Sequence, residues 1–207
     1  MKSNEDMALK NRQIFNHYNL PVINMMSSPG SGKTSVLEKT IDTLGKKIRI
    51  AVLEGDLQTD RDAQRIAKYN VQVAQINTDG ACHLDANMVN KSLSGFDLSQ
   101  VDLFFIENVG NLVCPAGFDL GEGWRVNLVS IPEGDDKVIK YPVIFRKCDV
   151  LLINKIDLLP YIPFNIKRLK KETLDIRADM GIIEVSCLTG EGMQDWYDWL
   201  EEIVGKN

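Results

Sequence analysis

Apolar residues cluster in short blocks at 22–26, 48–53, 71–76, 101–106, 126–131, 149–153 and 182–185. These blocks are rich in β-branched residues and carry few polar interruptions, so they read as strands buried on both faces. Between them the apolar positions recur at helical spacing. Met7, Ile14, Phe15 and Tyr18 give residues 4–18 one apolar side, and Asn19-Leu20-Pro21 stops the helix. Val36, Leu37, Ile41 and Leu44 do the same for a helix closed by Gly45. Further helices are predicted over 60–69, capped by Thr59 or Asp60, and over 84–93, 164–180 and 193–204, with Gly181 as the stop of the third and a turn at 132–136. Strands alternating with helices predict an α/β architecture of three layers, a mostly parallel sheet with helices on both faces. No linker, repeat or low-complexity stretch divides the chain. Residues 1–207 are therefore expected to form a single domain, with residues 1–20 as a helix docked on it.

The first predicted strand runs into Ser27-Ser28-Pro29-Gly30-Ser31-Gly32-Lys33-Thr34-Ser35, and a helix follows at once. A strand, a Gly-rich turn and a helix N-terminus in that order form a cradle of backbone N–H groups for phosphate. Gly30 and Gly32 stand where bulk would block the anion. Lys33 supplies a point charge for the β- and γ-phosphates, and the Thr34 hydroxyl suits Mg²⁺. Ser27 occupies the position that usually holds the first glycine. The motif, from Pro29 to Ser35, predicts a P-loop nucleotide-binding fold.

Asn154-Lys155-Ile156-Asp157 follows a later strand, at the edge where open α/β sheets hold ligands. The Asp157 carboxylate can accept two hydrogen bonds from N1–H and the 2-amino group of guanine. Adenine offers neither donor there and would leave the carboxylate desolvated and unpaired. Lys155 is expected to lay its stem over the base, and Asn154 to brace the loop. Ser186-Cys187-Leu188, after the last strand, can direct a backbone N–H at the guanine O6. The expected ligand is therefore GTP.

Hydrolysis needs carboxylates near the terminal phosphate. Glu107-Asn108-Val109-Gly110 ends one strand and Glu54-Gly55-Asp56 another. Glu107 would ligate Mg²⁺. Gly110 can offer its N–H to the γ-phosphate and shift when that group leaves. Asp56 would share the metal or position the attacking water, unless it merely caps the following turn. With Lys33, these two carboxylates are the expected catalytic groups. Arg61 is the nearest built-in arginine-finger candidate, and slow unassisted turnover is expected.

Charge and cysteine usage narrow the partners. The chain has 207 residues, 44% hydrophobic and 26% charged, and a net charge of −5. That balance does not indicate a nucleic-acid surface. No apolar run approaches the length needed to span a bilayer, and residues 1–10 lack a signal-peptide core, so a cytoplasmic location without membrane contact is expected. The four dispersed cysteines read as thiols. Among them, Cys82 adjoins His83 at a helix start, and Cys114 lies seven residues past Glu107. Two thiolates and an imidazole suit Ni²⁺ or Zn²⁺. They are one donor short of a closed tetrahedral site, a gap that water or a second copy of the chain could fill. On the residues alone, two structural thiols and a lone histidine remain an alternative. So do a purely protein-binding GTPase and a small-molecule kinase, the latter requiring adenine preference.

Together, Ser27–Thr34, Glu54–Asp60, Asp79-Gly80-Ala81-Cys82-His83-Leu84, Glu107–Pro115 and Asn154–Asp157 resemble the nickel-handling GTPases of nickel–iron hydrogenase maturation, the HypB family, in the signal-recognition-particle branch of P-loop GTPases. The likeness extends over nearly the whole chain. It implies a GTP-hydrolysing metallochaperone that works as a homodimer. Cys82, His83 and Cys114 would bind nickel or zinc at the dimer interface, and Thr34, Asp56 and Glu107 would hold Mg²⁺. It implies as partners a second maturation protein and the hydrogenase large-subunit precursor. The related urease accessory GTPases carry a Cys-Pro-His metal motif that is absent here. Many members of the resembled family carry a Cys-rich or His-rich nickel motif near the N-terminus, and residues 1–20 contain neither.

Overall fold

A computed structural model describes residues 2–56, 65–78 and 80–206. Seven strands form one sheet: β1 (Val22–Ser27), β2 (Ile50–Asp56), β3 (Gln72–Asn77), β4 (Leu103–Glu107), β5 (Trp124–Ser130), β6 (Val150–Asn154) and β7 (Gly181–Val185). Their order is β3-β2-β4-β1-β5-β6-β7. Every pairing is parallel, with β1 paired to β4 (Met25 opposite Glu107) on one side and to β5 (Ser27 opposite Leu128) on the other. Parallel strands need crossovers, and these put helices over both faces. The carboxyl ends of β1, β2, β4 and β6 consequently share one edge.

Alternate strand residues serve different layers. Ile23, Val52, Phe105 and Leu128 pack under α2 (Lys33–Leu44) and α7 (Met193–Gly205), around the buried Trp196. On the opposite face, Ala51, Leu53, Phe104 and Ile106 meet α1 (Lys2–His17) and α3 (Ala86–Ser92). Val129, Leu151 and Ile153 on that face meet α4 (Lys137–Lys140), α5 (Pro142–Lys147) and α6 (Ile166–Ile176).

Several boundaries differ from the predicted ones. The run 48–53 starts its strand at Ile50 and continues through Asp56. The helix predicted over 164–180 ends at Ile176, because Arg177 is extended, and Gly181 opens β7 instead of stopping a helix. Gly45 keeps a right-handed conformation, not the left-handed one expected of a glycine stop. The predicted helix over 60–69 is described from residue 65, with 65–67 helical; Thr59, Asp60 and Arg61 lie outside the described residues. The pair α4 and α5 was not predicted. Each is too short for a helical repeat to register, and Pro142 at the start of α5 divides them.

Helix α1 docks through amides as well as apolar contacts. Asn11, fully buried, donates to the Ala86 carbonyl at 2.8 Å and to the Leu120 carbonyl at 2.9 Å, and accepts from Asn90 at 2.8 Å. A Cβ on Gly121 would come within 2.6 Å of the Asn11 Cβ, so a glycine is needed for this approach. Asn11→Ala strands two buried carbonyls and one amide. We expect it to lower the unfolding free energy by about 2–4 kcal/mol in a urea titration; a change under about 0.5 kcal/mol would show that α1 does not depend on these bonds.

Candidate nucleotide and metal sites

The phosphate loop lies between β1 and α2. Gly30 and Gly32 have φ of 77° and 100°, which side chains disfavour. A Cβ on Gly32 would fall 2.5 Å from the Asn154 Nδ2. That amide donates to the Ser31 carbonyl at 2.9 Å, and the Lys155 ammonium donates to the Gly30 carbonyl at 2.7 Å. Ser27, in place of the usual glycine, accepts a hydrogen bond from the buried Lys33 ammonium at 2.9 Å. Below the loop, one Glu133 oxygen accepts from the Ser31 hydroxyl and from the Ser130 N–H and hydroxyl, each at 2.7 Å.

A cleft opens over the loop, lined by Gly30, Lys33, Thr34, Glu54, Arg65 and Glu107. The Thr34 hydroxyl donates to the Glu107 carboxylate at 2.9 Å, and both residues are buried. A hydroxyl beside a carboxylate is an all-oxygen donor set of the kind Mg²⁺ prefers, so these residues fit that ion. Asp56 ends β2 at the same edge; its side chain is not among the described groups. Gly110 lies against Pro29, where a Cβ would sit 3.0 Å from its backbone. Arg65 also faces the cleft, held by Glu38 at 2.5 Å and Ser35 at 3.3 Å. Nothing in the spacing singled it out, because it belongs to none of the motifs read from the sequence.

A second cleft adjoins the first and shares Gly32, Ser35 and Lys155 with it. Asp157, Cys187 and Leu188 line its far end. Lys155 adopts a left-handed φ of 63°, and its N–H donates to the Asn154 side-chain oxygen at 2.8 Å. Asp157 accepts from the Ser186 hydroxyl at 2.5 Å, which fixes the carboxylate's direction. Burial pushes the Cys187 thiol up to about 11, as befits a packing residue in this loop.

Cys82, His83 and Cys114 converge on the same edge. Their ligating atoms lie within 4.8 Å of one another, the one such group of His, Cys, Asp or Glu among the described residues. His83 stacks on Phe118, ring centroids 3.8 Å apart, and its Nδ1 is 3.6 Å from the Cys82 sulfur. Partial burial holds the imidazole below its usual range, against the opposing pull of Asp85, which favours the neutral form that a metal ion would need. A hydrogen bond with the Cys114 sulfur and, to a lesser degree, burial raise the Cys82 thiol. Asn111 shapes the other loop by accepting from the N–H groups of Val113 at 2.8 Å and Cys114 at 3.4 Å. No sequence motif singles out Phe118 or Asn111, since their contacts depend on which loops meet.

The family model "CobW/HypB/UreG, nucleotide-binding domain" matches residues 21–184. The chain is 48% identical over 202 residues, 98% of its length, to the hydrogenase maturation factor HypB of Azotobacter vinelandii. It belongs to the HypB family. It spans about two thirds of that relative's length, 67%. The crystal structure of HypB from Helicobacter pylori in complex with nickel matches with a TM-score of 0.94 at 38% identity, covering 99% of this chain and 96% of that one. The signal recognition particle receptor FtsY of Elizabethkingia anophelis shares the fold, with a TM-score of 0.53 at 12% identity, covering 84% of this chain and 59% of that one. The seven-stranded parallel sheet of this HypB-family chain is thus the P-loop fold expected from its motif.

The raised Cys187 thiol has a measurable consequence. Its shift from 9.0 to about 11 leaves roughly 100-fold less thiolate at pH 8. Alkylation of Cys187 by iodoacetamide, followed by mass spectrometry, should be slower by about that factor in the folded chain than in urea. Equal rates would refute the burial assigned to it.

Proposed function

We propose that the chain is a GTP-hydrolysing metallochaperone of hydrogenase maturation, which takes up nickel at Cys82, His83 and Cys114 and releases it under nucleotide control. The observation that carries this reading is the convergence of two thiols and an imidazole within 4.8 Å, on the strand edge that also bears the phosphate loop. Sulfur and nitrogen donors favour a late transition metal, while the oxygens of Thr34 and Glu107 favour a hard one, so the two sites would not compete for one ion. The nickel-bound Helicobacter pylori relative supports the same cargo; Zn²⁺ fits these donors too.

In this reading Asp157, aimed by Ser186, accepts the guanine N1–H and 2-amino group, and the Leu188 segment offers a backbone N–H to O6. Pro29 to Ser35 wraps the phosphates. Lys33 exchanges its Ser27 partner for a phosphate oxygen, and Gly110 meets the γ-phosphate. Asp56 positions the attacking water, and Thr34 and Glu107 hold the cation side of the cleft. Thr34 and Glu107 would hold Mg²⁺ there, and the ion would supply positive charge to offset that of the phosphates. GTP would thus order the segment from Glu107 to Gly110, close to Cys114. A second copy of the chain would complete the metal site. Val113, 63% exposed beside Cys114, supports a partner surface at that point. The whole chain acts as one GTPase domain in this scheme, and it hands nickel to a hydrogenase precursor together with another maturation protein.

Two measurements test the reading. Asp157→Asn should weaken GDP by at least about 100-fold, roughly 3 kcal/mol. It should also improve xanthosine diphosphate, whose C2 carbonyl accepts from the new amide. Unchanged guanine preference in a competition assay would remove Asp157 from the base site. Calorimetric titration of Ni²⁺ should give different affinities with and without GTP, and Cys82→Ala with Cys114→Ala should abolish binding. Equal affinities would end the gating idea.

A further inference from the structure

Nucleotide gating of a metal site requires a physical connection between the groups that face the terminal phosphate and the metal ligands. The covalent path from Glu107 to Cys114 is one. A shorter contact runs through Leu84, the residue after His83. Leu84 is fully buried and touches the ends of two strands. Its N–H donates to the Asn108 side-chain oxygen at 3.1 Å, and Asn108 directly follows Glu107. Its side chain covers Gly55 so closely that a Cβ there would lie 2.8 Å from the Leu84 methyl carbon, and Gly55 directly precedes Asp56.

Asn108 also reaches the second metal-bearing segment. Its amide donates to Asn24 at 3.3 Å, and Asn24 donates to Glu122 at 3.2 Å. Glu122 accepts from the Leu120 N–H at 2.7 Å and from Arg125 at 2.6 Å. Leu120 closes the loop that carries Cys114 and Phe118. Asn108, Asn24 and Glu122 are all buried, so their partners cannot be replaced by water. The Asn108 N–H is itself fixed to the Met25 carbonyl of β1 at 3.0 Å.

We propose that Asn108 is the positioning residue that ties the phosphate-facing end of β4 to both metal-bearing loops, with Gly55 supporting Leu84 from β2. Asn108 neither ligates metal nor contacts phosphate in this scheme. When Glu107 and Gly110 rearrange around the terminal phosphate, its single oxygen moves the Leu84 N–H, and with it His83. This rests on the metal and nucleotide roles given above.

The test compares Asn108→Ala with the unaltered full chain, using Ni²⁺ alone as the titrant and hydrogen exchange of the Leu84 amide as a second readout. Thermal unfolding serves as the fold control. If the alanine variant does not accumulate, Asn108→Ser keeps a polar group beside Asn24 but is too short to reach the Leu84 N–H. In nucleotide-free protein we expect Ni²⁺ affinity to fall about 10-fold or more, the usual effect of removing an outer-shell partner, and the Leu84 amide to lose protection. Where GTP changes Ni²⁺ affinity in the unaltered chain, by the roughly 5- to 150-fold common for coupled sites, the variant should respond less than about twofold. Unchanged Ni²⁺ affinity with unchanged Leu84 protection would overturn the proposal. If the unaltered chain binds Ni²⁺ equally in both nucleotide states, the gating reading falls, and the nucleotide-free comparison still decides the role of Asn108.

Discussion

The two halves of the nucleotide site are joined by one side-chain amide. Asn154, at the end of β6, reaches over the end of β5 and donates to the Ser31 carbonyl at 2.9 Å. It occupies the space that a Gly32 side chain would need. The left-handed turn at Gly32 and the amide of Asn154 therefore require each other. Lys155 adds a second tie to Gly30, and Glu133 takes the Ser31 hydroxyl from the loop after β5. Each bond is worth only about 0.5–1.5 kcal/mol net. Their joint effect is geometric: the phosphate loop and the Asn154–Asp157 loop are held in one arrangement, which would reduce the ordering cost of binding a nucleotide.

The same sheet edge keeps two kinds of donor apart. Oxygen groups gather over β1, β2 and β4, where phosphate and a hard cation fit. Sulfur and nitrogen gather in the segments after β3 and β4, where a softer ion fits. The donors of the candidate metal cluster are in unequal states. Partial burial favours the neutral form of His83. The Cys82 thiol is raised through its hydrogen bond with Cys114. If that pair takes up a metal ion as thiolate, at least one proton must leave it, so uptake would strengthen as pH rises through the thiol range.

Much of this was readable in advance, because the signals were local. The phosphate loop announces itself through spacing, and buried parallel strands announce themselves as apolar runs. Asp157, Glu107 and the Cys82-His83 pair could be singled out because each lies at or beyond the carboxyl end of a strand in a parallel sheet. What could not be read depends on contacts distant in sequence. Asn11 interrupts the apolar side of α1 and looked like an ordinary helix residue, yet it bonds to residues 75 and 109 positions away. Phe118 gains its role only because its loop folds back on His83. The helices α4 and α5 escaped because four and six residues cannot display a 3.6-residue period. Gly181 was misread because a glycine after a helix and a glycine opening a strand look alike in sequence.

Helix α1 braces the segments that follow His83 and Cys114 from one side. Asn4 accepts from the Ala86 N–H at 2.9 Å and donates to the Asp119 carbonyl at 2.8 Å, so one side chain spans the loop after His83 and the loop after Cys114. Asn11 repeats the pattern one layer deeper, on Ala86 and Leu120. Arg12 adds an ion pair to Asp119 at 2.9 Å. The loops that carry Cys82, His83 and Cys114 are therefore held from outside by α1 and from inside by Asn108 and Glu122. A displacement of the inner hold against a fixed outer one cannot be absorbed by moving both loops together. In the proposed scheme it would appear as a change in the separation of His83 and Cys114, whose ligating atoms lie within 4.8 Å. Close-packed interiors transmit such displacements instead of damping them, so the two buried hydrogen bonds of Asn108 would carry the coupling proposed above.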